Sequence, residues 1–249
     1  MPNHSKVKEY ICFFFLLEAI LLGIFCCLDL FVFYLLFAAV LIPMYFIVGV
    51  YGSRERKVRA SYFLFLYTLV SSILMFIAIL LIYFKTGTTS YLILKTFCPL
   101  DFALENYCFF AFFFSFAVKM PMLPVHTWLP DAHVEAPTAG SILLAGVLLK
   151  VGAYGILRVS IPFFTEGFLA YREVIAFLSV VGIIYGAIVA IAQIDIKKLI
   201  AYSSISHMGF VMLGISASTL LSLEGAIIQM VNHGITSGAL FMLVGFIYE

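Results

Sequence analysis

Forty consecutive residues, Ile11 to Val50, carry only two charges, Glu18 and Asp29. A helix advances about 1.5 Å per residue, so roughly 20 apolar residues cross the ~30 Å hydrocarbon core of a bilayer. The run is twice that length and must hold two helices, with the hairpin expected at Leu28-Asp29-Leu30. Six further spans are expected on the same ground. They are Ser61 to Phe84, which has no charge at all, Asn106 to about Trp128, Ser141 to Ser160, Val174 to Ile194, Leu199 to Ser216 and Leu220 to Tyr248. Backbone groups in lipid find no water, so segments this long are helical; barrel strands would be about ten residues and alternating. The predicted fold class is therefore all-α, a polytopic membrane protein of eight transmembrane helices. Pro121 and Pro124 interrupt the fourth span, so one of the eight is expected to be broken.

Composition supports lipid over water. Of 249 residues, 64% are apolar and 11% charged, against about 25% charged in an ordinary soluble domain. That contrast excludes a soluble enzyme, a coiled coil and a disordered chain. A net charge of +1 supplies no basic face for nucleic acid. Cys12, Cys26, Cys27, Cys98 and Cys108 lie mainly in apolar runs without C-x-x-C spacing, so no metal site is expected. There is likewise no Gly-rich turn for a dinucleotide and no cysteine set for an iron–sulfur cluster, so no cofactor is expected on this chain.

Loop charges give an orientation. Eight spans put both termini on one side, here side A. It receives Lys6 and Lys8, the run Ser53-Arg54-Glu55-Arg56-Lys57-Val58-Arg59, and Lys197 with Lys198. Side B receives Thr86 to Glu105 and Ile161 to Glu173, whose charges sum to a negative value. The basic clusters fall together, as the positive-inside rule requires, so side A is the cytoplasm or a mitochondrial matrix.

Ionisable groups at membrane depth are functional candidates because each costs about 2.5 kcal/mol or more in lipid. Lys119 lies roughly 20 Å from side B and Lys150 roughly 18 Å from side A, counting along their helices. Glu18, His207 and His233 are similarly central. Pro121 and Pro124 stand beside Lys119; proline removes an amide donor and clashes with the preceding turn. Such a break survives in a membrane where protein covers it or it lines a wet cavity, and transporters place breaks of this kind at the midplane. A lysine there can carry a proton.

The run Lys119-Met120-Pro121-Met122-Leu123-Pro124-Val125-His126-Thr127-Trp128-Leu129-Pro130-Asp131-Ala132-His133-Val134-Glu135-Ala136-Pro137-Thr138-Ala139-Gly140-Ser141 resembles the signature of the antiporter-like proton-pumping subunits of respiratory complex I. Its continuation through Leu149-Lys150-Val151-Gly152 resembles the subunit 4 branch in particular. The stretches Asp195 to Phe210 and Gln229 to Gly234 agree with it, and the resemblance extends from about Phe14 to Glu249.

The resemblance implies a proton relay through Lys119, Lys150, His207 and His233. It implies an inverted-repeat fold, with a complete first repeat in residues 1–161 and three helices of the second in 162–249. NADH, FMN, iron–sulfur clusters and ubiquinone would belong to other parts of the assembly. A mitochondrial inner membrane location follows, with a bacterial plasma membrane as the alternative. Other membrane-arm subunits and lipids are the implied partners, and a separate polypeptide is expected to complete the second repeat and supply the preceding helices. The family also carries a glutamate five residues before the proline of a Leu-Ile-Pro-Met turn; here that residue is Ala38, five before Pro43. Glu18 on the neighbouring helix is the expected replacement partner for Lys119. A cation/proton antiporter subunit, or a membrane scaffold with a decayed relay, are the competing readings.

Overall fold

A computed structural model describes residues 4–96 and 100–248, so Cys98 lies outside the described residues. Ten helices account for nearly all of the described chain: α1 His4–Cys26, α2 Leu30–Gly49, α3 Lys57–Thr86, α4 Tyr91–Thr96, α5 Phe102–Lys119, α6 Trp128–Glu135, α7 Thr138–Phe163, α8 Thr165–Ile191, α9 Ile196–Ala217 and α10 Leu220–Tyr248. Eight of them, all but the short α4 and α6, are long and apolar enough to cross a membrane.

Local chemistry explains where these helices start and stop. Asp29 caps α2, its carboxylate accepting from the amides of Phe31 at 2.8 Å and Val32 at 3.1 Å. This cap makes the expected hairpin. Gly87 ends α3 in the left-handed conformation with φ of 70°, where a side chain would be strained. Pro43 has no amide to give to the Ala39 carbonyl, and α2 is interrupted at Val40, one turn before it.

Among the span starts, the sixth differs most from the sequence expectation. The sixth span begins at Thr165, not Val174, and only Phe164 separates it from α7. The Glu105 carboxylate on α5 accepts from the first amides of α8, Glu166 N at 2.9 Å and Gly167 N at 3.4 Å. A negative charge at a helix N-terminus satisfies free donors and complements the dipole. Glu166, Arg172 and Glu173 therefore belong to the opening turns of a helix and not to a loop.

Loop contacts define the two ends of the bundle. At one end Ser53 N donates to Glu135 O at 3.2 Å, Arg54 pairs with Asp195 at 2.5 Å, and the Tyr248 hydroxyl reaches Asp195 at 3.5 Å. Tyr51 near this end also bonds Glu9 on α1, so Glu9 and Tyr248 lie at the same end of the bundle, the one that carries the basic clusters of side A. At the other end Leu28, Leu30, Thr89 and Tyr91 exchange backbone hydrogen bonds. The core between the ends is apolar and aromatic, centred on Phe37, Phe109, Phe112 and Phe116, which are essentially inaccessible. The outward faces of the helices carry large apolar residues, as contact with acyl chains demands.

Candidate functional site

Helix α5 ends on Lys119. Beyond it Met120 N still bonds Phe116 O at 2.8 Å, but Met122 N turns back to Ala117 O at 2.9 Å, and no helix resumes until Trp128. The Val118 carbonyl, freed by the break, accepts the Trp128 indole N–H at 2.9 Å. The break is thus covered by protein at Pro121, where the freed Val118 carbonyl finds its partner, while Pro124 is exposed.

Lys119 is 4% exposed. Its ammonium stands 4.7 Å from the centre of the Phe37 ring, within cation–π range. The small cavity beside it is lined by Val40, Met44, Leu64, Thr68, Trp128 and Leu148. Among the described residues no carboxylate pairs with it. The expected replacement by Glu18 fails on this point. Leu17, Ile20, Leu21 and Ile24 form the inward stripe of α1, and Glu18, the next residue and about 100° round the helix from Leu17, is exposed and faces outward. It lines an open, otherwise apolar groove of about 520 Å³ with Phe14, Leu21, Ala139, Leu143 and Val147.

Lys150 has the opposite environment. Its ammonium contacts His233 Nδ1 at 2.7 Å and donates to the Ala145 carbonyl. Ala145 belongs to a π-helical turn, Leu144–Leu148, a distortion that recurs at functional sites. The contact with His233 requires α7 and α10 to approach closely, and glycine permits it. A Cβ on Gly234 would stand 3.0 Å from the Gly146 carbonyl and 3.7 Å from the Lys150 ammonium. A charged lysine donating to Nδ1 places the imidazole proton on Nε2, which is buried and has no hydrogen-bond partner among the described residues. The His233 ring lies 5.7 Å from the His207 ring, and His207 Nδ1 is 3.4 Å from Gln229 Nε2 at the exposed side of α9 and α10.

The structure therefore joins Lys150, His233 and His207 into one line and leaves Lys119 and Glu18 apart from it. Sequence reasoning missed four buried polar groups: His126, His133, Glu135 and Lys197. His133 stacks on Phe241 at 4.6 Å, and among the described residues neither of its ring nitrogens has a hydrogen-bond partner; His126 packs edge-on against the Tyr185 ring at 5.1 Å. Lys197, expected in a basic loop, is 5% exposed and donates to the Ala136 carbonyl at 3.2 Å. Burial pushes the Glu135 carboxyl up, Arg54 pulls it down, and Asp131 adds to the rise, which wins. Glu135 and both histidines lie within the signature run, so the signal was their position between two helices, where an ionisable group has to face either water or protein.

Comparison with known proteins completes the site description. Residues 27–249 match the family described as NADH:quinone oxidoreductase/Mrp antiporter, transmembrane. The chain is 52% identical over 245 residues to NADH-ubiquinone oxidoreductase chain 4 of Marchantia polymorpha, covering 98% of this chain and 49% of that one. It is 50% identical over 257 residues to NADH-quinone oxidoreductase subunit M of Rhodobacter capsulatus, again with 98% and 50% covered. The chain thus spans about half the length of the curated relatives it matches. Among solved structures, respiratory complex I from Thermus thermophilus superposes with a TM-score of 0.90 at 37% identity, over 96% of this chain and 51% of its counterpart. The Mrp complex from Dietzia superposes with a TM-score of 0.80 at 24% identity, over 92% and 43%, a likeness of fold alone.

Proposed function

We propose, because this chain belongs to the NADH:quinone oxidoreductase/Mrp antiporter transmembrane family, that it translocates protons as a membrane-arm subunit of an NADH:quinone oxidoreductase. The observation that carries this reading is the buried 2.7 Å contact between Lys150 and His233, continued by His207. An amine against an imidazole can pass a proton between neighbours whose proton affinities shift with the charge nearby. Lys119 serves as the second carrier, loaded and emptied at the break. Residues 1–161 act as one half-channel and 162–249 as part of the other. Electron transfer from NADH through flavin and iron–sulfur centres to ubiquinone takes place in other subunits. The membrane is the mitochondrial inner membrane or a bacterial plasma membrane, with both termini on the matrix or cytoplasmic side. Other membrane-arm subunits and lipids surround the chain, and the face of α9 and α10 that carries His207, Gln229 and Asn232 packs against further parts of the assembly.

Replacing Lys150 by Met and, separately, Lys119 by Ala in the assembled complex tests the relay. The proton-to-electron ratio should fall sharply in each, and a full ratio in both would remove it. The cation/proton antiporter reading is favoured by the family's breadth and by the fold shared with the Mrp complex. It predicts sodium-dependent proton exchange without NADH. A scaffold with a decayed relay is favoured by Ala38 and the apolar cage around Lys119, and predicts that Lys119→Ala changes nothing.

A further inference from the structure

We propose that the groove between α1 and α7 seats a further transmembrane helix, which brings one lysine or arginine to the level of Glu18.

The groove is built into the fold. Helices α1 and α7 both run from side A toward side B and are clasped together at Phe25 and Tyr154. The Tyr154 hydroxyl donates to the Phe25 carbonyl at 3.1 Å, and the two rings meet edge to face at 5.0 Å. On the side A flank of this clasp, an open volume of about 520 Å³ lies between the helices. Counting equal numbers of residues back from the clasp, Glu18 stands level with Val147, Phe14 with Leu143 and Tyr10 with Ala139. At 1.5 Å per residue these levels lie roughly 10, 16 and 22 Å from the clasp. The groove therefore runs through most of a ~30 Å hydrocarbon core, with Glu18 well inside it.

Its occupant has to meet two demands. The first is set by Glu18, which among the described residues has no hydrogen bond and no ion pair. The wall opposite offers it only Val147 and Leu143. An acidic side chain at membrane depth is ordinarily paired with another ionisable or polar group. The second demand is set by shape. The exposed residues Ile11, Phe15, Glu18, Leu22 and Phe25 stand alternately four and three apart, so they form one straight seam along α1. A seam of that spacing receives the side chains of a second helix lying alongside.

Acyl chains would fill the apolar volume but leave the carboxylate against methylene groups. A helix with one basic residue meets both demands. Its apolar face covers the seam, and the lysine or arginine lays its aliphatic stem along the groove with its charge on Glu18. One ion pair on an otherwise apolar seam sets the depth and rotation at which that helix docks, the best-attested use of such a pair.

The test uses the assembled NADH:quinone oxidoreductase in its native membrane, with photoreactive benzoylphenylalanine in place of Phe15. That aromatic position is 67% exposed and lies one turn from Glu18 on the same seam. Illumination, chymotryptic digestion and mass spectrometry identify what is captured. The expected adduct joins Phe15 to an apolar peptide from outside residues 1–249 that carries a lysine or arginine. Capture of lipid alone, of a peptide within residues 1–249, of a peptide without a basic residue, or of nothing overturns the proposal. Glu18→Lys sets like charges against each other and should cut the yield of that adduct about tenfold. Changing the captured basic residue to Glu in the same background should restore it. An undiminished yield in the first variant, or an unrestored one in the second, overturns the ion pair. Should Glu18→Lys not assemble, Glu18→Gln keeps the size of the side chain and should lower the yield severalfold, an unchanged yield again overturning the pair. The relay and this helix fail separately, because a covalent adduct is read and not proton pumping.

Discussion

Lys119 and Lys150 are both buried lysines at mid-membrane depth, each close to an irregular stretch of helix, yet they keep different company. Lys119 looks onto the face of Phe37 and a wall of aliphatic side chains. Lys150 meets an imidazole and a carbonyl, and its neighbour leads on to a second imidazole. A ring face attracts the ammonium but can neither accept nor return a proton, whereas an imidazole does both. In the described structure only the second lysine has a titratable neighbour in contact with it. The difference teaches that depth alone does not define a relay residue, and that the titratable neighbours decide whether a proton has somewhere to go.

The sharpest way to break the contrast is at the glycine contact. Gly234→Val places a branched side chain against the Gly146 carbonyl and pushes α10 from α7. Overpacking of this kind costs about 1–3 kcal/mol. Loss of the Lys150–His233 contact should add a pumping defect as severe as that of Lys150→Met. Thermal unfolding in detergent and the proton-to-electron ratio check both parts, and unaltered pumping would show that the contact is not part of the path.

A smaller effect belongs to the other lysine. Phe37→Leu keeps the site apolar and removes the ring beneath the ammonium. A desolvated cation–π contact is worth up to about 2 kcal/mol, so destabilisation of about 1–2 kcal/mol is expected. Combined with Lys150→Met, the two losses should add, because the sites share no partner. A coupling energy well above about 0.5 kcal/mol would join what the structure holds apart.

The smallest effect lies at the side A clasp between the two regions. Burial alone would raise the Asp195 carboxyl, but the Arg54 guanidinium at 2.5 Å and the amides of Lys197 and Lys198 hold it below its ordinary value of 3.8. A carboxylate with a depressed folded value contributes stability that is present above the unfolded value. That contribution is lost as pH falls through the folded one. Arg54 is 38% exposed in its side chain, so solvent screening limits the contribution to no more than about 1 kcal/mol. Asp195→Asn should lower stability near neutral pH by that amount and flatten the loss between about pH 4 and more acidic conditions. An equal acid sensitivity in the variant would assign it to other groups.

Hydropathy made the spans legible because it reports a property of length and composition. It placed the hairpin at Asp29, the break after Lys119 and the eighth span from Leu220 to Tyr248 without a coordinate. What it does not report is azimuth. Glu18 and Leu17 share a depth, but only the packing stripe of α1 shows that one faces in and the other out. Lys197 looks like half of a basic loop beside Lys198, although the N-cap at Asp195 turns it under the end of α6. The start of α8 was misplaced because Glu166 and Glu173 look like loop residues until the Glu105 carboxylate is seen closing the helix from outside. Contacts across long sequence separations carry each of these facts, and no local window holds both partners.

Trp128 is the only tryptophan in the chain, and its indole is bonded to the carbonyl that the helix break sets free. It also shares the cavity beside Lys119. The protein therefore carries one built-in indole, placed at the point where a helix break meets a buried charge. Water reaching that cavity moves the emission maximum to the red without any label being added. The colour of a single residue becomes a gauge of whether the break is shut.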